Sequence, residues 1–263
     1  MKAIVCVKQV PDTSGKVAVK ENGQLDRASM MTITNPDDLN AIEAALQLKD
    51  QTGCEVVAIS MGPPPAESML RELLARGVDR AVLVSSREFG GSDTYATSQI
   101  LAAAVRKIGI GDEDVVFCGR QAIDGDTAQV GPQIAEHLGL PQVTYVEHVE
   151  YDGDEMFTVT KSTEEGYEIL EVGRPCLFTV ISAAEPPRYM NVRLIMTAYE
   201  REIEVWGFDH IRVDAEQIGL KGSPTRVAKS FTKGAKAMGV LHEVSPEEGA
   251  QIIFEKLQEK FII

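Results

Sequence analysis

Residues 114–131 read DVVFCGRQAIDGDTAQVG, an apolar run followed by a loop with glycines at positions 119, 125 and 131. The run from Asp114 to Cys118 has the length and composition of a buried strand. Residues 132–138 then show apolar side chains at helical spacing. A strand that leads through such a loop into a helix is the repeating unit of a parallel sheet covered by crossover helices. The sequence therefore predicts an α/β fold.

The same alternation of short apolar runs and longer amphipathic stretches precedes this unit. It predicts strands over residues 3–7, 55–61 and 80–84, and helices over residues 66–76 and 94–108. A polar, turn-rich segment follows the first strand and passes through Gly15 and Gly23. Another helix is predicted to begin at Asn35-Pro36-Asp37-Asp38, with Asn35 as the cap and Pro36 at the first helical position.

The pattern changes after residue 140. Strand-like runs over residues 142–149, 156–160, 167–171 and 176–181 predict an antiparallel extension of the sheet. From Ala184 onward, short mixed segments that include Trp206 suit an arm lying on another protein. Ser245-Pro246-Glu247-Glu248 is a capping box that predicts a C-terminal helix. These patterns divide the chain into an α/β domain, residues 1–183, and an extended part, residues 184–263.

Composition narrows the class of protein. The chain has 263 residues, of which 44% are hydrophobic and 25% charged, as in ordinary globular proteins. Its net charge of −14 disfavours nucleic acid as a partner. No apolar run approaches the roughly 18 residues of a membrane span, so we expect a cytoplasmic protein without membrane insertion. Four scattered cysteines without a CxxC pair predict reduced, mostly buried thiols, and the scattered histidines predict no metal site.

Three predicted strand ends form candidate walls of one site, because ligands of open parallel sheets bind beyond the carboxyl ends of the strands. Cys6 and Lys8 follow the first strand, Met61 and Gly62 the second, and the loop of residues 119–131 the fourth. Glycines and a helix N-terminus in this loop favour an anion. The alternative is that Asp124 or Asp126 caps the following helix, and the two interpretations have similar weight at this point.

Known catalytic and nucleotide-binding motifs are missing from the sequence. It contains neither a Walker A lysine motif nor GxGxxG after the first strand, and no GxSxG elbow. Gly90-Gly91-Ser92-Asp93 precedes a middle helix and is interpreted as a turn with Asp93 as the cap. We therefore predict no catalytic residue within this chain.

Four motifs in order make the chain similar to a known family. They are Val5-Cys6-Val7-Lys8-Gln9-Val10-Pro11-Asp12, Asn35-Pro36, Gly119-Arg120-Gln121-Ala122-Ile123-Asp124-Gly125-Asp126-Thr127, and Glu185-Pro186-Pro187-Arg188-Tyr189. Together they resemble the beta subunit of electron transfer flavoproteins over nearly the whole chain. The resemblance implies a Rossmann-like subunit that binds an adenine nucleotide and pairs with an alpha subunit that carries FAD.

The resemblance also implies the residues of the nucleotide site. They are Cys6, Asn35, Pro36, Asp37, Asp38, Met61, Gly119, Arg120, Gln121, Ala122, Ile123, Asp124, Gly125, Asp126, Thr127, Ala128, Gln129 and Val130. Backbone amides near residues 127–130 would hold phosphate, and Asp124 or Asp126 would bond sugar hydroxyls or cap the helix.

Partners follow from the same resemblance. The segment that begins at Ala184 resembles the family's recognition loop, which docks on acyl-CoA dehydrogenases, and Arg188, Tyr189, Met190 and Val192 are the predicted contacts. Val192 stands where many members of the family have leucine.

The identity of the nucleotide divides the family. Val10-Pro11-Asp12-Thr13 and Arg188-Tyr189-Met190 look like the flavin-bifurcating branch. In that branch FAD on this subunit accepts hydride from NADH, then sends one electron to ferredoxin or flavodoxin and one to the alpha-subunit FAD. The alternatives are a subunit that binds structural AMP and, outside the family, a stand-alone adenine-nucleotide sensor.

Overall fold

The computed structural model describes residues 1–12, 31–153, 155–228 and 239–263. Thr13 and the segment through Gly15 and Gly23 lie outside these ranges. The strands are β1 Lys2–Cys6, β2 Gln9–Pro11, β3 Thr32–Thr34, β4 Glu55–Met61, β5 Arg80–Val84, β6 Val115–Gly119, β7 Gln142–Tyr151, β8 Met156–Thr163, β9 Gly166–Gly173, β10 Cys176–Val180 and β11 Glu204–Trp206. The helices are α1 Pro36–Thr52, α2 Glu67–Arg76, α3 Thr94–Ile108, α4 Val130–Leu138, α5 Val192–Thr197, α6 Gly219–Gly222 and α7 Pro246–Glu259.

One sheet of nine strands organises the described part of the chain, in the order β11-β5-β4-β1-β6-β10-β7-β8-β9. Every neighbouring pair from β11 to β7 is parallel, and β7, β8 and β9 continue the sheet as antiparallel neighbours. A separate antiparallel hairpin joins β2 to β3. The predicted α/β class is confirmed, and so is the antiparallel extension over β7 to β9.

Apolar side chains are buried on both faces of the parallel strands. Helices α1 and α2 cover one face, where Ile42 and Leu70 belong to the same buried cluster as Val5. Helices α3 and α4 cover the other face, where Ile100 and Ile134 cluster with Ile4. Because β1 is covered on both sides, its sequence is a continuous apolar run rather than an alternating one.

Strand β10 corrects one prediction. The run 176–181 was expected in the antiparallel extension, but β10 lies between β6 and β7 and is parallel to both. All five residues of β10 are buried, whereas only the second and fourth residues of β8 are buried. A nearly uninterrupted apolar run is typical of a strand covered on both faces. The sequence CLFTV therefore indicates a strand at the centre of the sheet.

Trp206 corrects another prediction. The sequence placed it in an arm suited to lying on another protein, yet β11 pairs with β5 and forms the outer edge of the sheet. The Trp206 side chain is buried, and the Lys107 ammonium lies 4.2 Å from the centre of its indole ring. Residues beyond 184 therefore contribute a strand to the α/β sheet, and the division of the chain at residue 183 stays a prediction.

Other local predictions can be compared directly with the structure. All four cysteines have free thiols and are buried, as predicted. Ser245 and Glu248 form the predicted capping box at the start of α7. Within the described ranges, no helix combines the length and apolar character needed to cross a membrane. The same ranges hold no group of three or more histidine, cysteine or acidic side chains suited to a metal ion.

Candidate nucleotide-binding site

A cavity of about 330 Å³ lies at the carboxyl ends of β1, β4 and β6. Cys6, Met61 and Gly119, the last residues of these strands, line it. The chain passes from β1 to β4 and β5 on one side and returns to β6 on the other, so the cavity lies at the topological switch point. Its volume is at the lower end of the range of roughly 300–1,000 Å³ for small-molecule sites.

Most of the predicted cofactor-binding residues line this cavity. They are Cys6, Asp38, Met61, Gly119, Arg120, Gln121, Ala122, Gly125, Thr127, Ala128, Gln129 and Val130. The other predicted residues, which are not among its lining, are Asn35, Pro36, Asp37, Ile123, Asp124 and Asp126. The predicted set therefore contains residues that line the cavity and residues that do not.

The loop between β6 and α4 has an uncommon backbone. Asp126 and Ala128 have φ angles of 51° and 52°, in the left-handed region. Each such residue costs roughly 1–3 kcal/mol and persists only where the surrounding structure holds it. The backbone N–H groups of Gly125 and Asp126 both donate to the carbonyl of Ala122, which closes a tight turn. This strain marks the loop as a candidate functional element.

Backbone N–H groups gather where the loop enters α4. Those of Thr127, Ala128, Gln129 and Val130 have no hydrogen-bond partner among the described residues. All four residues line the cavity. The first N–H groups of a helix have no partner within it and carry the positive end of the helix dipole. This end of the cavity is therefore suited to an anionic group such as phosphate.

The two acidic residues of the loop neither cap α4 nor line the cavity. Asp124 pairs with the Lys8 ammonium, with N–O distances of 2.7 and 2.9 Å. Asp126 accepts a hydrogen bond of 2.9 Å from the Gln121 amide. Gln129 stands at the cap position of α4 and makes no side-chain capping bond. The capping alternative for Asp124 and Asp126 is therefore wrong, and Lys8 offsets the charge of Asp124.

Asn35 stands at the predicted cap position of α1, but its side chain does not cap the helix. Its Nδ2 donates to the carbonyl of Gln121 at 2.8 Å, and its Oδ1 accepts from the backbone N–H of Ile123 at 3.1 Å. Asn35 is fully buried. Its amide therefore holds the loop from the side of α1, a role that local sequence spacing did not indicate.

Asp38 joins the ends of β1 and β6. Its two carboxylate oxygens accept from the backbone N–H of Lys8 at 2.7 Å and of Gly119 at 3.1 Å. A Cβ atom at Gly119 would lie 2.6 Å from the Asp38 nitrogen, so only glycine lets α1 approach β6 this closely. Next to it, Asp37 forms an ion pair with Arg120 at 3.4 Å.

We expect the stability of the wild type relative to Asp38→Asn to fall between about pH 4 and about pH 7. Burial raises the pKa of Asp38 from 3.8 to about 7, against the lowering effect of its hydrogen bonds. The folded state therefore binds this proton more tightly than the unfolded state. The stabilisation is complete below the unfolded pKa and is lost as the pH rises through about 7.

The slope of this difference approaches about 1.4 kcal/mol per pH unit between the two pKa values. Urea unfolding of both proteins at each pH measures it, and the subtraction removes the pH dependence that the two proteins share. A difference that is constant or grows with pH would contradict the prediction.

The N-terminal end of α3 supplies cavity residues that the sequence did not assign to the site. They are Ser92, Asp93, Thr94, Thr97 and Leu101. The predicted cap is present, since Asp93 accepts from the backbone N–H of Ala96 at 3.0 Å. Thr94 also donates to the Gln129 side chain at 3.0 Å, which connects the two walls. The sequence indicated a turn at Gly90–Asp93, but only the fold shows that residues of this turn line the same cavity.

The predicted partner contacts lie around the start of α5, where Arg188 contacts α1 and α2 and Val192 is the first helical residue. Tyr189 is 96% exposed and Val192 71% exposed, and Met190 is 39% exposed. Arg188 is instead engaged within the chain, where it pairs with the buried Glu43 at 2.9 Å and with Asp50 at 2.8 Å. A partner role for these four residues stays a prediction.

An open, mostly parallel sheet with a cavity at its switch point defines an α/β protein of the Rossmann-like class. Residues 23–211 match the family model described as the electron transfer flavoprotein domain. The chain therefore belongs to the electron transfer flavoprotein family, as a beta subunit, and the predicted resemblance is confirmed.

Similar proteins cover the whole chain. The acryloyl-CoA reductase electron transfer subunit gamma of Anaerotignum propionicum is 54% identical, with 100% of both chains covered. The electron transfer flavoprotein subunit beta of Clostridium acetobutylicum is 51% identical over 100% of both chains. The caffeyl-CoA reductase-Etf complex subunit CarD of Acetobacterium woodii is 48% identical over 100% of both chains.

Proposed function

We propose that this chain binds FAD in the cavity at the switch point and works as the beta subunit of a heterodimer with an electron transfer flavoprotein alpha subunit. When bound, FAD would supply the redox chemistry: it would accept a hydride, that is two electrons and a proton, from NADH, release the proton, and pass one electron to ferredoxin or flavodoxin and one through the alpha-subunit FAD to an acyl-CoA dehydrogenase. The chain itself supplies binding, orientation and electrostatics. We assign it no catalytic acid or base.

The group of free backbone N–H donors at Thr127–Val130 is the observation that carries the proposal. These donors belong to residues that line a cavity whose volume of about 330 Å³ suits a nucleoside phosphate. A phosphate fits their chemistry because they are uncharged donors at the positive end of α4. FAD is larger than such a moiety, so its flavin end would extend from the cavity mouth.

Charges around the cavity support the same proposal. Asp124 is paired with Lys8 and Asp126 accepts from Gln121, so both loop carboxylates are engaged outside the cavity lining. Cys6 and Met61 offer apolar surface at the strand ends. Asn35 and Asp38 hold the two walls at fixed positions through backbone hydrogen bonds. These residues would orient the nucleotide without reacting with it.

The choice of FAD over AMP rests on likeness to a branch of the family. Val10-Pro11-Asp12-Thr13 and Arg188-Tyr189-Met190 resemble the flavin-bifurcating branch, although Thr13 lies outside the described residues. Two similar proteins are named as subunits of acryloyl-CoA reductase and caffeyl-CoA reductase complexes. Both names place a relative with an enzyme that acts on a CoA thioester, and family membership favours a subunit of a complex over a stand-alone sensor.

Exposed apolar side chains supply two candidate contact surfaces. We call residues 185–201 the docking segment. It exposes Tyr189, Val192, Met196 and Tyr199, and we propose that it contacts the acyl-CoA dehydrogenase. Helix α7 has no buried residue and exposes Ile253 and Phe254, and we propose that it contacts the alpha subunit. Apolar surface of this kind is expected where a protein binds a partner.

We expect two FAD and no AMP per heterodimer after reconstitution with excess FAD. The co-purified heterodimer is denatured, and the released nucleotides are separated and counted. One FAD with one AMP would overturn the FAD proposal and leave a subunit with a structural nucleotide. Addition of NADH to the reconstituted protein should bleach the flavin absorbance, and a preparation with two FAD that NADH leaves oxidised would contradict the proposed electron donor.

A further inference from the structure

Within the docking segment, only Ala198 is buried. Helix α5 spans only Val192–Thr197 and has no buried residue. A helix of six residues is not stable alone in water. Met196 within α5 and Tyr199 just after it are 76% and 78% exposed. Something other than hydrophobic burial must therefore keep this short helix in place.

Arg71 of α2 supplies the central contact. Its Nη1 donates to the carbonyls of Ala198 at 2.6 Å and Arg201 at 2.7 Å. Glu67 orients the guanidinium from one turn earlier in α2, at 2.8 Å from Nη2. The Arg71 side chain is 14% exposed. One guanidinium thus holds the chain directly after α5 by two backbone carbonyls.

Arg188 holds the chain before α5. Its guanidinium forms two parallel hydrogen bonds of 2.9 Å to the carboxylate of Glu43, which is only 7% exposed. The backbone N–H of Arg188 donates to the same carboxylate at 3.0 Å, and Arg76 donates to the Arg188 carbonyl. The backbone N–H of Asn191 donates to the Ala75 carbonyl at 2.8 Å. Both ends of α5 are therefore fastened to α1 and α2.

Arg201 completes the set. Its guanidinium donates to the carbonyls of Val78 at 3.0 Å and of Asp79. We call Arg71, Arg76, Arg188 and Arg201 the arginine clamp. The guanidinium groups of Arg71, Arg76 and Arg201 bond backbone carbonyls, and that of Arg188 bonds the carboxylates of Glu43 and Asp50, so together they fix the path of the chain. A planar guanidinium can bond two acceptors in one orientation, which a lysine ammonium does not reproduce.

We propose that the arginine clamp holds the docking segment in its binding conformation before the acyl-CoA dehydrogenase arrives, and that Arg71 is its main positioning residue. This inference rests on the proposed function of the docking segment. A segment ordered in advance loses less conformational entropy on association, which increases affinity without any new contact. Arg71 is mostly covered and acts through the backbone at positions 198 and 201, so it controls docking through the chain that it holds.

The test compares reconstituted heterodimers with Arg71→Lys, Arg71→Ala and the control Arg87→Ala. Arg87 is an exposed arginine whose side chain makes no hydrogen bond or ion pair with the described residues. We expect amide hydrogen exchange over residues 185–201 to accelerate about tenfold or more in both Arg71 variants. The KM for the acyl-CoA dehydrogenase that the wild type reduces should rise about tenfold, with kcat and nucleotide content unchanged.

Each contrary outcome has a separate meaning. Unchanged exchange over 185–201 in both Arg71 variants would overturn the clamp. Faster exchange with an unchanged KM would show a purely structural role and overturn the positioning proposal. Val192→Asp tests the surface itself: if this variant keeps the wild-type KM, or if the wild type reduces no acyl-CoA dehydrogenase, the proposed docking function fails. Arg71→Lys keeps the charge, so it remains informative if Arg71→Ala folds poorly.

Discussion

Gly119→Ala is expected to destabilise the protein by about 3 kcal/mol or more and to lower the nucleotide occupancy of the cavity. A Cβ atom at position 119 would lie 2.6 Å from the backbone nitrogen of Asp38 and 2.7 Å from the carbonyl carbon of Asp37. Because these are backbone atoms in the first turn of α1, no change of rotamer relieves the overlap. Helix α1 must therefore move away from β6. This movement lengthens the hydrogen bond from the backbone N–H of Gly119 to the Asp38 carboxylate.

Urea unfolding and a thermal scan measure this effect, and the melting temperature should fall by about 6–12 °C. Gly125→Ala is the matched control, because a Cβ atom at Gly125 meets nothing within 4 Å. Gly125 lies in the same loop, and its change to alanine should alter stability by about 0.5 kcal/mol at most. Equal stability of the two variants would show that α1 and β6 do not need this close approach.

Asn35→Asp is expected to destabilise the protein by about 2–4 kcal/mol and to release the nucleotide held by this subunit. The substitution replaces Nδ2, which donates to the Gln121 carbonyl at 2.8 Å, with a carboxylate oxygen that can only repel it. The new charge would be fully buried. It would also lie close to Asp38, the carboxylate that accepts a hydrogen bond from the backbone N–H of Gly119. The loop that carries residues 127–130 would then lose the hydrogen bond between Asn35 and the Gln121 carbonyl and keep the one from the Ile123 N–H.

Asn191→Asp is the control for this change, since it adds the same charge. Asn191 is an exposed cap of α5 whose Oδ1 accepts from the backbone N–H of Arg193 at 2.9 Å, and aspartate keeps that bond. In the reconstituted heterodimer, the FAD count should fall from two toward one in Asn35→Asp and stay at two in Asn191→Asp. Full occupancy with wild-type stability in Asn35→Asp would contradict the holding role of Asn35. Asn35→Ala removes both bonds without adding charge and should have a smaller effect of about 1–3 kcal/mol.

The elements that the sequence predicted correctly are those defined by local patterns. Strand β5 and helix α3 have the predicted limits, because alternating turns and periodic apolar positions mark both ends. The start of α1 at Pro36 was predicted from residues that are adjacent in the chain. The three strand ends around the cavity followed from the rule for parallel sheets, which needs only the order of the elements.

Predictions about strand neighbours and side-chain partners were less successful. The place of β10 between β6 and β7, and of Trp206 on the edge strand β11, depends on pairing between distant segments. The sequence did not indicate that Arg188 pairs with the buried carboxylate of Glu43, and its predicted contact with another protein stays a prediction. An ion pair between residues far apart in the chain produces no periodic sequence pattern near either residue.

The sequence by itself determined the class of fold, the family and the three strand ends at the switch point, since composition, periodicity and ordered motifs are local properties. Only the tertiary structure decided what those residues do. Asn35 bonds a loop 86 positions away, and Lys8 pairs with Asp124 at a separation of 116 positions. Such contacts form because the folded chain must satisfy buried polar groups with whichever partners the packed sheet and helices bring close. Which residues become partners therefore depends on the whole folded chain, and a local sequence pattern does not indicate it.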